Sequence, residues 1–414
     1  GVTGEAREGV PSEEGGGREV GASARGAAMA ATPSPFVGMS NEGGMAFRIG
    51  TPAIDRFPVE VWGQLLARRW ARSGRALLGQ VDVRGYGPLR QAVADYVTTA
   101  RGVRCSAGQV ILVSGTQQAV ALAVQVLLDP GDAVWVEDPG YPGGKGALAA
   151  ASAVMVPVPV GRGGMDVAVG LAQCAEARMA IVTPAHQFPL GGSMSEARRA
   201  ALLGWARERG GWIFEDDYDS EFRYAGRPLP ALQGMDGAGR VIYAGTFSKV
   251  LSMSLRLAYL VVPEAVVPAF VAAKVFADVQ SPMLEQAVLA DFIAEGHFVR
   301  HIRRMRVLYA RRQKVLLECA RRELGEVLEL EEEEAGLHLV GWLKEGGMGE
   351  DEVAARAMAA GLHVMPLSVF RVKGGVKAGE RKGEGRGALL LGYAAVPEEE
   401  IVEGVRRLRE VLRG

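Results

Sequence analysis

An α/β domain with a largely parallel central sheet, followed by a smaller α+β unit, is the fold this sequence predicts, and three observations predict it. From about residue 86, short apolar runs alternate with amphipathic stretches of helical period. The short runs are bounded by glycine or proline and joined through helices, as parallel strands with crossover connections require. After about residue 263 the pattern changes, first to long helices and then to a mixture of strands and helices. The 414 residues suffice for two or three domains, or for one large catalytic domain with a smaller appendage.

Taken in order, residues 1–44 are rich in Gly, Ala, Ser, Glu and Pro, carry almost no large apolar anchor, and predict a flexible leader or linker. Compact structure begins near Phe47. Residues 58–78 predict an amphipathic helix with Pro58 near its start, where a missing N–H costs little, and residues 87–101 predict the next. "QVILVSG" reads as a strand, "TQQAVALAVQVLL" as a helix, "DPGD" as a turn, and "AVWVEDPGYPG" as a strand and turn. The alternation continues through "ASAVMVPVPV", "ARMAIVTPA", "EARRAALLGWARERG", "GWIFEDD" and "RVIYAGT". Residues 264–322 are mainly helical. In "HFVRHIRRMRVLYARRQK", Phe298, Ile302, Met305 and Tyr309 recur at helical spacing, so the arginines predict a solvated or interdomain face and not a nucleic-acid site. The last hundred residues mix strands ("LHLVGWL", "GALLLGYA") with helices at 350–360 and 397–413, around a basic loop at 371–387.

Composition excludes several classes of function. Hydrophobic residues are 48% and charged residues 23%, the balance of a soluble globular chain. No run suits a membrane span and no secretory signal opens the chain, which makes the cytoplasm the expected location. The formal charge of −1 does not suggest a chain built to wrap nucleic acid. Cys105, Cys174 and Cys319 are isolated, and the i,i+4 pair His297 and His301 lacks the intervening carboxylate of a zinc motif. A surface or capping role is expected for these histidines, and no metal.

Four strand ends carry unusual chemistry, and open α/β sheets bind ligands at such ends. "SGTQQAV" (114–120) opens a helix with small polar residues, suited to an anion or simply to capping. In "EDPGYPG", Tyr141 offers a ring either to stack on a flat ligand or to pack locally. "FEDDYDSEF" crowds Asp216, Asp217 and Asp219 around Tyr218, and such repulsion calls for a divalent metal or a protonated heterocyclic nitrogen. "GTFSK" sets Lys249 between apolar runs, where an amine snorkels, pairs with a carboxylate, or forms a Schiff base. Thr246, Ser248 and Arg256 beside it supply donors for a phosphate dianion.

Together, "GTFSK" followed by "LRLAYLVVP", with "FEDDYDSEFRY", "TPAHQFP", "VEDPGYPG" and "GYGPLRQAVADY", resemble the fold-type I pyridoxal 5′-phosphate (PLP) enzymes of the class I/II aminotransferase superfamily. More narrowly, they resemble the aminotransferase-like domain of the MocR family of GntR-type regulators, over roughly residues 45–413. The resemblance implies a large PLP-binding domain over 81–300 and a small C-terminal domain over 301–414. Residues 45–80 are implied to associate with the small domain and a homodimer interface. Lys249 is implied to form the internal aldimine, Asp216 to pair with the pyridine nitrogen, and Tyr218 to bond the phenolic oxygen. Tyr141 is implied to stack on the ring, while Thr116, Gln117, Thr246, Ser248 and Arg256 form the phosphate cup, and Asp219 supports or caps. The implied activity is amino-group transfer between an amine or amino acid and a 2-oxo acid; the alternative is a non-catalytic PLP- or effector-sensing domain.

This sequence departs from the family pattern in several places. Phe188 stands where amino-acid aminotransferases commonly have Asn, and Leu390 stands where an arginine usually clamps the substrate carboxylate. Ordinary amino-acid transamination then lacks one of its principal anchors, unless Arg84, Arg223 or an arginine of the 371–387 loop substitutes. Gln80 replaces a usual tyrosine, Ala258 a common glycine, and no proline precedes Arg256. The MocR winged helix-turn-helix has no counterpart in this sequence; residues 1–44 resemble the linker alone.

Overall fold

Runs rich in Val, Ile and aromatic residues become the strands of two sheets in the computed structural model, which describes residues 21–32, 46–79, 82–226, 229–372 and 386–413. The large sheet contains β1 (Val110–Val113), β2 (Ala133–Asp138), β3 (Val154–Gly161), β4 (Gly164–Met165), β5 (Met179–Val182), β6 (Trp212–Asp217), β7 (Val241–Thr246) and β8 (Ala258–Val261). Their order is β1-β8-β7-β6-β5-β2-β3-β4. The run from β3 through β2, β5 and β6 to β7 is parallel, whereas β8 is antiparallel to both β7 and β1, and β4 folds back on β3. The reversal at β8 has a simple cause. The link from β7 to β8 holds only the turn around Lys249 and a 3-10 turn at Met253–Leu255, too short for the crossover a parallel pairing demands.

Helices cover both faces of this sheet. On one side α4 (Thr116–Leu127), α5 (Pro142–Ala150) and α9 (Val267–Asp278) bury Leu122, Leu148 and Phe270 against Ile111, Ile181 and Ile242. On the other, α6 (Val167–Cys174) and α7 (Glu196–Arg209) bury Val167, Leu202 and Trp205 against Trp135, Val182 and Ile213. The sequence reads a turn up to Gly143, where α5 begins, and Pro-Gly-Gly-Lys-Gly is poor in helix formers. Tertiary packing overrides that propensity: Pro142 at the first turn presets the backbone and Leu148 is fully buried.

The predicted helices at 58–78 and 87–101 form α2 (Val59–Gly79) and α3 (Gly87–Arg101), and α2 packs on α10 (Met283–Ala294). Within the stretch expected to be a flexible leader, Ala24–Ala31 forms helix α1. Ser23 caps it by accepting the Gly26 N–H at 3.1 Å, and α1 rests against α5.

The small sheet is wholly antiparallel, in the order β11 (Met365–Pro366), β12 (Ala388–Gly392), β10 (His338–Leu343), β9 (Leu328–Leu330). It is covered by α11 (His297–Leu324), α12 (Glu350–Ala359) and α13 (Glu398–Arg413). The long α11 runs unbroken across residue 300, with Phe298, Ile302, Met305 and Tyr309 buried and Arg300, Arg303 and Arg304 exposed. His301 corrects its expected surface or capping role: it is buried, with Nε2 bonded to the Val250 carbonyl at 2.9 Å, because it lies on the apolar side of the same helix. The N-terminal segment reaches the small domain through a bridge between Phe47 and Gly392, and the Tyr309 hydroxyl accepts the Ala53 N–H at 2.9 Å. Among the described residues no helix is long and apolar enough to cross a membrane.

Candidate active site

The carboxyl ends of the parallel strands open onto a cavity of about 840 Å³ between the large domain and the small-domain segments at residues 358–370. All of Thr116, Gln117, Tyr141, Asp216, Tyr218, Thr246, Ser248, Lys249 and Arg256 line it. Strand β6 delivers Asp216 and Tyr218, β7 delivers Thr246 and the turn bearing Ser248 and Lys249, and the loop after β2 delivers Tyr141. Residues from five stretches of sequence therefore converge because the parallel strands all end on one side.

One end of the cavity is built for an anion. Helix α4 begins at Thr116, its first-turn N–H groups unpaired within the helix, with Gly115 as N-cap. Arg256 packs on this terminus: a Cβ added at Gly115, where φ is +153°, would lie 3.0 Å from the Arg256 Nη2. Arg256 itself holds a left-handed backbone (φ 51°, ψ 49°) that turns its guanidinium back toward α4. The Ser248 N–H donates to Thr246 Oγ1 at 3.1 Å, which fixes the turn carrying both hydroxyls. Gln117 lies beside Tyr141, accepting its hydroxyl at 3.1 Å and donating to the Gly143 carbonyl at 2.9 Å.

At the other end, Lys249 donates from Nζ to the Gly50 carbonyl at 2.8 Å. Burial lowers the Lys249 pKa, an effect that Asp219 and Asp216 partly oppose. The Asp216 carboxyl is pushed up to about 8, first by burial and then by the neighbouring Asp217 charge, and its Oδ1 is buried with no partner among the described residues. The three crowded aspartates diverge. Asp217 accepts from Arg101 at 2.7 Å and from the Tyr243 hydroxyl at 2.5 Å, while Asp219 meets His186 Nδ1 at 2.9 Å, so Asp216 alone of the three lines the cavity. Burial also raises the Tyr141 and Tyr218 hydroxyls well above their ordinary range, so both are donors at neutral pH.

The facing wall is apolar. Phe188 sits at its centre, edge-on to Tyr141, Tyr218 and Phe370 with ring centroids 6.1, 5.6 and 5.4 Å away. Leu390 is fully buried with Leu190, Val340, Leu367, Phe370 and Ala388, and does not reach the cavity surface. Arg84 and Arg223, two of the candidates for a clamp, do not line the cavity either: Arg84 lies beside Asp82 at 3.8 Å and Arg223 pairs with Glu334. Within the 371–387 loop, Arg386 is bound to Glu329 at 3.0 Å, and residues 373–385 lie outside the described residues, as does Gln80. Among the described residues Arg48 joins Arg256 in lining the cavity, together with His363, and both Arg48 and His363 have interaction partners of their own. Sequence reading missed these two, along with Gly50 and His186. His186 had the clearest signal, since it lies in the strand-end motif "TPAHQFP".

A mixed sheet with a lysine after β7, a buried aspartate at the end of β6 and an anion-binding helix after β1 defines the large domain of a fold-type I PLP-dependent transferase. The chain belongs to the aminotransferase class I and II family, whose model matches residues 43–408. It is 41% identical, over 88% of its length and 72% of the relative's, to the probable rhizopine catabolism regulatory protein MocR of Rhizobium meliloti. To the 2-aminoadipate transaminase of Thermus thermophilus it is 31% identical, over 89% of this chain and 90% of that protein. Among solved structures, α-aminoadipate aminotransferase LysN from Thermus thermophilus, complexed with N-(5′-phosphopyridoxyl)-L-leucine, superposes with a TM-score of 0.80 at 31% identity, covering 90% of this chain and 93% of that one. Kynurenine aminotransferase of Pyrococcus horikoshii, in complex with PMP, gives a TM-score of 0.79 at 27% identity, covering 89% and 90%.

Proposed function

We propose that this protein binds pyridoxal 5′-phosphate and transfers an amino group between an amine or amino acid and a 2-oxo acid. The observation that carries the reading is the unpartnered, buried Asp216 Oδ1 in the same cavity as the Lys249 amine. A carboxylate so buried is costly unless a cation meets it, and a protonated pyridine nitrogen supplies one. The other end of the cavity fits the cofactor's phosphate, with Thr116 at the α4 terminus and Thr246, Ser248 and Arg256 as further donors. Tyr141 offers its ring face and Tyr218 its hydroxyl.

When bound, the cofactor supplies an electron sink that lets a substrate carbon release a proton. The protein's own groups do the rest. Burial favours the neutral Lys249 amine, which serves as nucleophile and then as the base that takes and returns that proton. The Gly50 carbonyl holds the amine in place between those tasks. Ionised Asp216 would hold a proton on the ring nitrogen of a bound cofactor, and Phe188 and Phe370 give the cavity an apolar wall.

The protein is further read as a cytoplasmic homodimer that takes a small-molecule amine or amino acid. Phe276 on α9 is 86% exposed and Leu78 on α2 is 74% exposed, apolar side chains that a second copy would cover. The test of function is to load the purified chain with pyridoxal 5′-phosphate and add a panel of amines and amino acids. One equivalent of carbonyl product in a single turnover is expected, absent in Lys249→Ala. Visible-band shifts on ligand addition with no carbonyl product from any donor would replace the transfer reading with a sensing one.

A further inference from the structure

Deep in the site, behind Tyr218, lies a buried chain of polar groups to which the reading above gives no role. The His186 Nδ1 lies 2.9 Å from Asp219 Oδ2, 3.2 Å from Asp219 Oδ1 and 2.9 Å from the Tyr218 hydroxyl oxygen. His186 and Asp219 are almost wholly buried, and His186 Nε2 has no partner among the described residues, so the imidazole is anchored through Nδ1 alone.

An ionised carboxylate only accepts hydrogen bonds, so the nitrogen facing Asp219 must carry the proton. That settles what Tyr218 can do there. Its oxygen lies beside an N–H already directed at a carboxylate, so it receives a share of that proton and cannot give its own to Nδ1. Asp219 is the other acceptor within reach of Tyr218, and the His186 imidazole competes with the hydroxyl for its two oxygens. To the extent that the imidazole occupies Asp219, the hydroxyl proton is free for a ligand in the cavity that Tyr218 lines.

We propose that His186, held by Asp219, is a positioning residue that makes the Tyr218 hydroxyl a donor into the cavity, toward the phenolic oxygen of the bound cofactor. The inference rests on the cofactor reading above. Without the imidazole, Asp219 is free to take the Tyr218 proton for itself, and the cavity loses its donor. The surroundings agree. Burial alone would lower the His186 pKa, but Asp219 more than offsets it and the net direction is upward, which keeps Nδ1 protonated. Glu333 reinforces this and Arg223 opposes it. His338 of β10, the other titratable group packed nearby at 6.4 Å between ring centroids, has Nε2 engaged by the Pro189 carbonyl at 2.8 Å and its pKa pushed down to about 4 by burial.

A hydrogen bond to the phenolic oxygen favours its ionised form, so the pH midpoint of the bound cofactor's visible band reads the donor directly and independently of turnover. The experiment titrates that band in the full chain loaded with pyridoxal 5′-phosphate. His186→Phe is expected to raise the midpoint by about one pH unit, the scale of a single lost hydrogen bond, and Tyr218→Phe to raise it similarly. His186→Gln, whose amide N–H can still donate to Asp219, should stay near the parent. In His186→Phe/Tyr218→Phe the midpoint should equal that of Tyr218→Phe alone.

An unmoved midpoint in His186→Phe, or shifts of the two single variants that add in the double, would overturn the inference. If His186→Phe does not fold, His186→Leu carries the same expectation and the same overturning result. A parent chain that stays colourless with the cofactor overturns the cofactor reading and this inference with it; a coloured parent with an unmoved midpoint overturns this inference alone.

Discussion

Lys249 and Asp216 are each unfavourable in isolation, and each is explained by what shares the cavity with it. An amine held against the Gly50 carbonyl, with its pKa lowered by burial, is ready to react but adds little to folding. Lys249→Ala is therefore expected to leave the thermal unfolding of the cofactor-free protein almost unchanged and to abolish the visible band formed with pyridoxal 5′-phosphate. Asp216→Asn removes the charge that meets the ring nitrogen. A charge-assisted hydrogen bond contributes about 1.5–3 kcal/mol, so cofactor affinity, measured by fluorescence titration, should fall about tenfold or more. Gly50 is constrained twice, by φ of +68° and by a virtual Cβ only 2.6 Å from Lys249 Nζ. Gly50→Ala should displace the amine and slow formation of the visible band, read by stopped-flow mixing with the cofactor.

The elements around the site differ in how much the sequence discloses. Helix α3 was legible because its apolar face keeps a helical period, Pro88 opens it and Gly102 closes it in a left-handed conformation. Helix α5 was not, because local propensity argues against it and only the packing of Leu148 against the sheet decides for it. Strand β12 shows the same division for the substrate clamp. The sequence placed Leu390 at the usual arginine position, but only the structure reveals that it sits inside a closed apolar cluster. Leu390→Arg should therefore not restore a clamp. It buries an unpaired charge and is expected to destabilise the protein by more than about 3 kcal/mol in denaturant unfolding.

For the molecule as a whole, the buried acids make stability depend on pH in a direction that cofactor binding should oppose. In the folded cofactor-free protein Asp216 is held at about 8 and Glu215 and Glu221 at about 7, against ordinary values of 3.8 and 4.5, with burial the main cause in each. The folded state thus binds more protons than the unfolded state, and these groups contribute stability below their ordinary pKa that is lost as pH rises through 7 to 8. His186, also raised, acts in the same sense. The lowered His338, at about 4, opposes this only until its unfolded-state imidazole has lost its proton just above 6.5, and Lys145, lowered to about 8, acts in the opposite sense only at higher pH. Between about pH 6.5 and 8 the melting temperature of the cofactor-free protein should fall. The rise in melting temperature on adding pyridoxal 5′-phosphate should be larger at the upper end, because a cation at Asp216 then meets a carboxylate that is otherwise uncompensated. A cofactor-free melting temperature that climbs across this interval would contradict the assignment.

The sequence by itself determined the α/β class and most of the strands and helices, because period and turn residues are local properties of the chain, and its resemblance to a known family pointed to nine of the residues that line the cavity. Only the tertiary structure decided what those residues meet. The Gly50 carbonyl on Lys249, the pairing of Asp219 with His186, the diversion of Asp217 to Arg101 and the presence of Arg48 at the cavity wall all join positions far apart in the sequence. The antiparallel turn of β8 and the closure of the wall over Leu390 belong with them. Such contacts depend on which strand ends converge and which side chains lose water together, and burial and pairing of that kind exist only once the chain has folded.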